Sequence, residues 1–368
     1  MIPSSVTREE AAASSLRALF SRYGYQPFRM KKFEDYDLYV RFKDYLLSES
    51  VITFPDGERL LALKPDVTLS IIRSFREGKG RVQKVYYQEN VYRRLRPAEP
   101  FRELLQTGLE CIGDLDELAL GEVLALAARA LRTISEDSIL AVGHLGLLSA
   151  FIDRVTDDPL LRGEILSLVG AKNMPGIRAL AREKGVDAAA AEDLVRVLSL
   201  VGSPAGVLPQ LQMAADDVGA GEACAELARL LEAVAETDDT CAVRVDLSAV
   251  SDGKYYNGLV FRGFVKGLPE RVLAGGQYDG LMARMGKNAR AVGFAVYLDQ
   301  ISLLESDPGF DADVLVLYDD TVPPAAVREE AARLRAEGKS VLVLPARPRT
   351  GRYQEVLKLG RAEVTYCD

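Results

Sequence analysis

Four groups of side chains in this sequence have the type and spacing to hold a small polar ligand. In "RELLQTGLECI", Arg102 to Ile112, strand alternation puts Arg102, Gln106 and Glu110 on one face, with Leu104 and the gap at Gly108, and turns Leu105, Leu109 and Cys111 to the other. An amide and a carboxylate flanking a glycine make a concave polar floor, suited to an ammonium or imidazole group. The alternative is a solvated strand face carrying an Arg–Glu pair. In "ALKPDVTLS", Asp66 and Thr68 stand where a strand gives way to a helix. They are either N-caps or, in a pocket, Asp66 meets a ligand's ammonium group. In "GKYYNGLVF", Tyr256, Gly258 and Val260 share a strand face and Tyr255 points the other way; Tyr278 follows Gly-Gly-Gln on a turn that brings backbone close to whatever it faces. Tyrosines offer a flat ligand an apolar face and a polar tip, although two buried structural tyrosines would read the same. Arg93, Arg94, Arg96 and Arg102 gather around the loop "YRRLRPAEPFR", as a phosphate or carboxylate clamp or as a solvated hairpin tip. Arg93 and Arg102 are the anion-binding candidates.

The elements that must position these groups follow from pattern. Residues 7–23 form an amphipathic helix, with Thr7 and Glu10 at capping-box spacing and Gly24 as the stop. "YQPFRM" is a strand, "SVITFPDGERLLAL" a hairpin turning at Pro-Asp-Gly, and "DVTLSIIRSFREG" a helix ending at Gly78. Two long strands flank the arginine loop, and residues 116–135 make an Ala/Leu-rich helix. Helix-type sequence runs from about 146 to 236, broken at "NMPG", "GSPAG" and "GAG". Strands return at "TCAVRVDLSAV" and "YYNGLVFRGFV", followed by a glycine turn in "LAGGQYDGLMARMG" and an apolar helix in "AVGFAVYLDQISLLE". After "SDPGFDAD", a strand–helix–strand unit closes the chain, with "YQEVLKLG" as a further helix and "EVTYC" as a further strand.

The 368 residues, 48% hydrophobic and 27% charged, suit a soluble protein of two or three domains. A net charge of -8 argues against a general nucleic-acid binder. No apolar run approaches the roughly 20 residues that span a membrane, and the N-terminus lacks the pattern of a signal peptide. Cys111, Cys224, Cys241 and Cys367 are scattered, so neither a metal site nor a disulfide framework is expected, and the cytoplasm is the expected compartment. The lone histidine, His144 in "LAVGHLGLL", removes most imidazole chemistry and reads as a hydrogen-bonded structural residue. There is no GxGxxG after a strand and no Walker motif, and no cofactor is expected.

Taken in order, these stretches carry a family resemblance. "YRRLRP…FRELLQTGLECIG" resembles the second signature of class II aminoacyl-tRNA synthetases and "AVGFAVYLDQ" the third. "KYYNGLVF" followed by "AGGQYDGL" resembles segments peculiar to histidyl-tRNA synthetase, and "LKPDVT" its Pro-Glu-Gly-Thr element. The match covers about residues 5–115 and 240–305. It implies an α+β fold: a class II synthetase-like antiparallel sheet flanked by helices over residues 1–310, with a helical insert at about 136–240. A small C-terminal α/β unit at 311–368 resembles a truncated anticodon-binding domain, so tRNA binding is not expected.

The departures are informative. Ser251 stands where the synthetases have an arginine that assists amino-acid activation, Gln300 where an arginine holds ATP, Leu95 for a Glu, and Gln277 for the Arg of Gly-Gly-Arg-Tyr. Such cations supply several kcal/mol of transition-state stabilisation. The positions that cradle histidine keep the family's residue types at Thr68, Gln106, Glu110, Tyr256 and Tyr278, with Asp66 shortening a Glu. Lost cations beside a kept pocket resemble the regulatory subunits of ATP phosphoribosyltransferase, which are histidyl-tRNA synthetase paralogues. That resemblance implies a non-catalytic chain, homodimeric through its synthetase-like domain. It would activate a short catalytic subunit in a hetero-octamer of four regulatory and four catalytic chains and mediate feedback inhibition by L-histidine, in the first step of histidine biosynthesis. A divergent histidine-activating enzyme, or a histidine sensor for another partner, is the alternative.

Overall fold

Thr7 and Glu10 form the capping box their spacing predicts: Glu10 N donates to Thr7 Oγ1 at 3.2 Å and Thr7 N to Glu10 Oε2 at 3.0 Å. Helix α1 (Arg8–Arg22) follows. The computed structural model describes residues 7–46, 51–94, 99–249, 255–304, 310–360 and 366–367. They fall into two compact units, Ala12–Leu303 and Leu304–Asp368 together with Met1–Ala11.

In the larger unit the chain passes from strand β1 (Gln26–Pro27), all that forms of the expected "YQPFRM" strand, to β2 (Phe33–Asp35) and helix α2 (Tyr36–Arg41). Next come β3 (Thr53–Asp56) and β4 (Arg59–Leu63). The β3–β4 turn is the pair Gly57-Glu58, not Pro-Asp-Gly: Pro55 and Asp56 still pair with Leu60 and Arg59, and Gly57 supplies the positive φ of +62°. Helix α3 (Thr68–Ser74) stops four residues before Gly78. The arginine loop joins β5 (Val82–Arg93) to β6 (Arg102–Gly113) in continuous antiparallel register, and α4 (Glu117–Ile134) follows.

The expected helical insert at 136–240 begins instead with a strand, β7 (Ser138–His144). Its apolar sequence is buried between neighbouring strands, and periodicity alone does not separate that from a helix. His144 ends the strand and caps the next helix, Nδ1 accepting from Leu147 N at 3.2 Å while Nε2 lies 3.5 Å from Glu226 Oε2. The helices are α5 (Leu145–Val155), α6 (Pro159–Gly170), α7 (Met174–Lys184), α8 (Ala188–Leu198), α9 (Pro204–Asp217) and α10 (Gly221–Ala235). Side chains of Asp158, Asn173 and Asp187 cap three of them.

β8 (Ala242–Val245) and β9 (Leu259–Val265) follow, so Tyr255 and Tyr256 precede the strand rather than alternate along it. The expected glycine turn is a strand, β10 (Leu273–Gln277), running into helix α11 (Asp279–Arg284). The expected apolar helix is a strand too, β11 (Arg290–Tyr297), with only a short α12 (Leu298–Ile301) after it. β11 is paired on both sides and buried on both faces, so it shows no period-2 alternation in sequence.

The result is a mixed, mainly antiparallel sheet in the order β1-β5-β6-β11-β10-β9-β7-β8, with β1 parallel to β5 and β8 parallel to β7. A separate small sheet is ordered β2-β4-β3. One row of cross-strand partners runs Tyr87, Gly108, Ala295, Ala274 and Arg262, and beside it runs Glu110, Gly293, Gly276 and Val260. Small residues dominate these rows and leave a trough in the sheet face.

In the smaller unit, β12 (Ala312–Leu317) leads through α13 (Pro324–Ala336) to β13 (Val341–Leu344) and β14 (Arg347–Pro348). β15 (Tyr353–Lys358) forms where a helix was expected, and β16 (Tyr366–Cys367) pairs with β14. β12 runs parallel to both β13 and β15, and Leu334 of α13 packs on Val314 and Val316.

Candidate functional site

The trough holds a pocket, and all six of the pocket residues expected from sequence line it. Alternation along β6 delivers Gln106 and Glu110 to its floor. The β4–α3 connection supplies Asp66, the first residue of α3 is Thr68, and the segment before β9 supplies Tyr256. Tyr278 stands between β10 and α11.

Glu110 is 2% exposed and pairs with no cation among the described residues; its carboxylate accepts from Thr68 Oγ1 at 2.8 Å and from Tyr278 OH at 2.5 Å. Burial dominates and pushes its pKa up to about 8, against the pull of those two hydrogen bonds and with a small push from Asp66. Near neutrality the unliganded carboxyl is therefore protonated. Gly293 is the register partner of Glu110, and a Cβ there would collide with the Glu110 carboxylate. A Cβ on Gly276 would likewise strike the Tyr256 ring.

Asp66 combines its two sequence readings. Its Oδ1 accepts from Leu69 N at 2.9 Å, a helix-start contact, and it also faces the cavity. Desolvation raises its pKa, opposed by that backbone bond and by the charge of Arg93. Thr68 does not cap; its hydroxyl is spent on Glu110. Gln106 is 5% exposed, and its Nε2 has no hydrogen-bond partner among the described residues. A buried amide left unpaired costs about 1–3 kcal/mol, which a ligand acceptor would offset.

Tyr255 was expected to point away, yet it also lines the cavity. Its ring centre lies 4.8 Å from that of Tyr256, edge-on, and 5.8 Å from that of Tyr278, tilted. Burial raises the hydroxyls of Tyr255 and Tyr278 well above their ordinary range, so both stay neutral donors.

The two arginines expected to clamp an anion part company. Arg93 is 5% exposed and lines the cavity, its guanidinium 5.8 Å from the centre of the Tyr297 ring. Arg102, its register partner, is exposed at the strand end, 3.9 Å from Glu99, and does not line the cavity. Tyr87, Tyr297 and Arg271 were missed; nothing in their local sequence marks them. Arg93 and Tyr297 are also walls of a second pocket, where Leu104, Glu270, Arg271, Asp299 and Gln300 appear.

Of the positions that depart from the synthetase pattern, Ser251 and Leu95 lie outside the described residues. Gln277 is buried, and its Nε2 donates to Asp279 Oδ2 at 2.5 Å, away from the cavity. Cys111, Cys224 and Cys241 are buried free thiols. Among the described residues no cluster of His, Cys, Asp and Glu could hold a metal ion, and no helix is long and apolar enough to cross a membrane.

The pocket lining combines a proton-bearing carboxyl held by neutral donors with the Asp66 carboxyl, a buried guanidinium and an unsatisfied amide. This suits a zwitterion with a basic ring.

Comparison with known proteins agrees with this architecture. The family model for histidyl-tRNA synthetase matches residues 1–301. An ATP phosphoribosyltransferase regulatory subunit of Thermoanaerobacter sp. (strain X514) is 31% identical over 339 residues, 88% of this chain and 87% of that one. A solved structure from Bacillus halodurans C, described as an ATP phosphoribosyltransferase regulatory subunit/histidyl-tRNA synthetase, superposes with a TM-score of 0.76 at 25% identity, covering 95% of this chain and 93% of that chain. An ATP phosphoribosyl transferase complex from Thermotoga maritima shares the fold, with a TM-score of 0.59 at 19% identity over 79% of this chain and 97% of that chain.

Proposed function

We propose that this chain, which belongs to the histidyl-tRNA synthetase-like family of ATP phosphoribosyltransferase regulatory subunits, is a non-catalytic sensor of L-histidine. The observation that carries the reading is Glu110: a buried carboxyl raised to about 8, held by Thr68 and Tyr278, on the same strand face as the Gln106 amide, whose Nε2 has no partner among the described residues. An imidazole placed on Glu110 shares one proton with it. Asp66 takes the ligand's ammonium group, Gln106 and Arg93 face its carboxylate, and Tyr256 covers the ring. The synthetase arginines replaced by Ser251 and Gln300 would otherwise meet ATP and the developing charge, so this pocket binds histidine without activating it.

The partner in this reading is a short catalytic subunit of ATP phosphoribosyltransferase. The ATP phosphoribosyl transferase complex of Thermotoga maritima supports such a pairing. The regulatory chain dimerises through its synthetase-like unit, assembles into a hetero-octamer in the cytoplasm, activates its partner and relays histidine inhibition.

Calorimetric titration with L-histidine, alongside histidine-dependent exchange of pyrophosphate into ATP, tests the claim. Saturable histidine binding without exchange supports a sensor. Exchange at synthetase-like rates would instead establish the family's enzymatic reading, and no histidine binding would remove both.

A further inference from the structure

Strands β10 and β11 pair in register from Leu273 with Val296 to Gln277 with Val292, and one further step sets Tyr278 opposite Ala291. Half of that last pair forms: Tyr278 N donates to Ala291 O at 2.9 Å. An antiparallel pair of this kind also has the reciprocal bond, from Ala291 N to the Tyr278 carbonyl. Here Ala291 N donates instead to the Asp279 side chain, at 2.8 Å from Oδ1. The Tyr278 carbonyl is thereby released to accept from Leu281 N at 3.1 Å and Met282 N at 3.3 Å, which starts α11.

Asp279 is itself held from several sides. Its Oδ2 accepts from Gln277 Nε2 at 2.5 Å and lies 3.6 Å from Arg290 Nε, and Arg290 Nη1 donates to Leu115 O at 3.0 Å. Gly280 N donates to Asn257 Oδ1 at 3.4 Å, and Asn257 N to Gln277 O at 3.0 Å. Asp279 does not line the histidine pocket, but Tyr278 does, and its hydroxyl donates to Glu110 Oε2 at 2.5 Å. Besides Tyr278 and Thr68, the titratable groups that act on Glu110 are Asp66 before α3, Tyr87 of β5, Tyr255 before β9, Tyr25 after α1 and Cys111 of β6. None of these is a cation. The ionised form of Glu110 is therefore favoured only by its two neutral donors, and the placing of the Tyr278 hydroxyl weighs heavily on it.

We propose that Asp279 is a positioning residue for the histidine pocket: its carboxylate takes the place of the Tyr278 carbonyl on Ala291, lets the chain leave β10 at Tyr278, and so sets the Tyr278 hydroxyl on Glu110. The task needs an acceptor oxygen at one point rather than a charge. An asparagine offers that oxygen at the same reach. A glutamate keeps the charge but carries its oxygens one methylene too far. Gln277, where the sequence alone showed a lost cation, holds the other oxygen of Asp279. The inference rests on the histidine reading for its ligand, while the contact of Tyr278 with Glu110 exists without one.

The test is the titration of the Glu110 carboxyl carbon by NMR on the full, unliganded chain, with histidine calorimetry on the same samples. Asp279→Ala and Asp279→Glu should each move the titration upward by about half a pH unit or more, because the displaced Tyr278 bond favours the carboxylate. Asp279→Asn should stay within about 0.2 pH unit of the unmodified chain, whereas an effect of charge alone would lower its titration. In a Tyr278→Phe background Asp279→Ala should add no further shift. Asp279→Ala should also weaken histidine binding about threefold or more. An unchanged or lowered titration in Asp279→Glu would overturn the proposal, as would an undiminished shift by Asp279→Ala in the Tyr278→Phe background. Should Asp279→Ala fail to fold by circular dichroism, Asp279→Glu set against Asp279→Asn decides the matter. The two claims separate on the same samples: the expected shifts without histidine binding count against the sensor reading alone, and histidine binding without the shifts counts against Asp279 alone.

Discussion

Glu110 makes histidine affinity depend on pH in a way that can be worked out from its surroundings. Its folded pKa is about 8, and a free imidazole titrates near about 6.5. Between these values the separated partners hold one proton, on Glu110, and the bound pair also holds one, so binding neither takes up nor releases a proton there. Below about 6.5 the free pair holds two, one is released on binding, and affinity falls about tenfold per pH unit, or about 1.4 kcal/mol. Above about 8 the free pair holds none, one must be taken up, and affinity falls at the same rate. At about pH 9.5 this contact alone weakens binding roughly thirtyfold, about 2 kcal/mol. The ligand's own ammonium group titrates in the same range, so the informative quantity is the ratio of affinities for the unmodified chain and Glu110→Gln. The amide carries no titration and lacks the alkaline limb from this contact. Calorimetry at pH 7.5 and 9.5, in two buffers of different ionisation enthalpy, counts the protons directly. The unmodified chain should take up about one more proton than Glu110→Gln at pH 9.5 and the same number at pH 7.5. Equal uptake at both pH values would refute the proton-sharing contact.

The same raised pKa makes a stability prediction. Unfolding lets Glu110 titrate near its ordinary value of 4.5, while the folded chain holds the proton up to about 8, so folding stability falls as pH rises through that window. Glu110→Gln should therefore be more stable than the unmodified chain at pH 8, by on the order of a few kcal/mol, with little difference at pH 4.5 in urea titrations. Tyr278→Phe removes a hydrogen bond that lowers the Glu110 pKa; it should move the alkaline limb upward and weaken histidine binding by about 1–3 kcal/mol in calorimetry. Gly293→Ala puts a methyl group into the space of the Glu110 carboxylate and should destabilise the chain by about 1–3 kcal/mol in thermal melts, with a larger fall in histidine affinity. His144→Ala removes the side-chain cap of α5 and should lower stability by about 1 kcal/mol while leaving histidine binding unchanged.

How far the sequence could be read depended on how local each signal was. Gln106 and Glu110 were legible because one strand's alternation relates them, and Thr7 with Glu10 because a cap spans three residues. His144 read correctly as structural because its apolar setting leaves it little else to do. β10 and β11 misled for a physical reason: they lie mid-sheet, and β11 is buried on both faces, so period 2 vanishes and an apolar run there reads like a helix. The glycines of β10 looked like a turn, whereas the close approach of Tyr256 and Phe294 is what excludes side chains from the strand. Arg102 was grouped with Arg93 because it is close to it in sequence. The fold leaves Arg102 exposed at the strand end and instead brings residue 271 near Tyr297, where Tyr297 N donates to Val272 O at 2.8 Å. Tyr255 was assigned outward on the assumption of a strand that begins only at Leu259.

The most direct test of regulation is the ATP phosphoribosyltransferase activity of a short catalytic subunit from the same source, measured alone, with this chain, and with this chain plus L-histidine. The account predicts activation by the chain and its reversal by histidine, with Glu110→Gln still activating but needing more histidine for reversal. A catalytic subunit indifferent to this chain would contradict it.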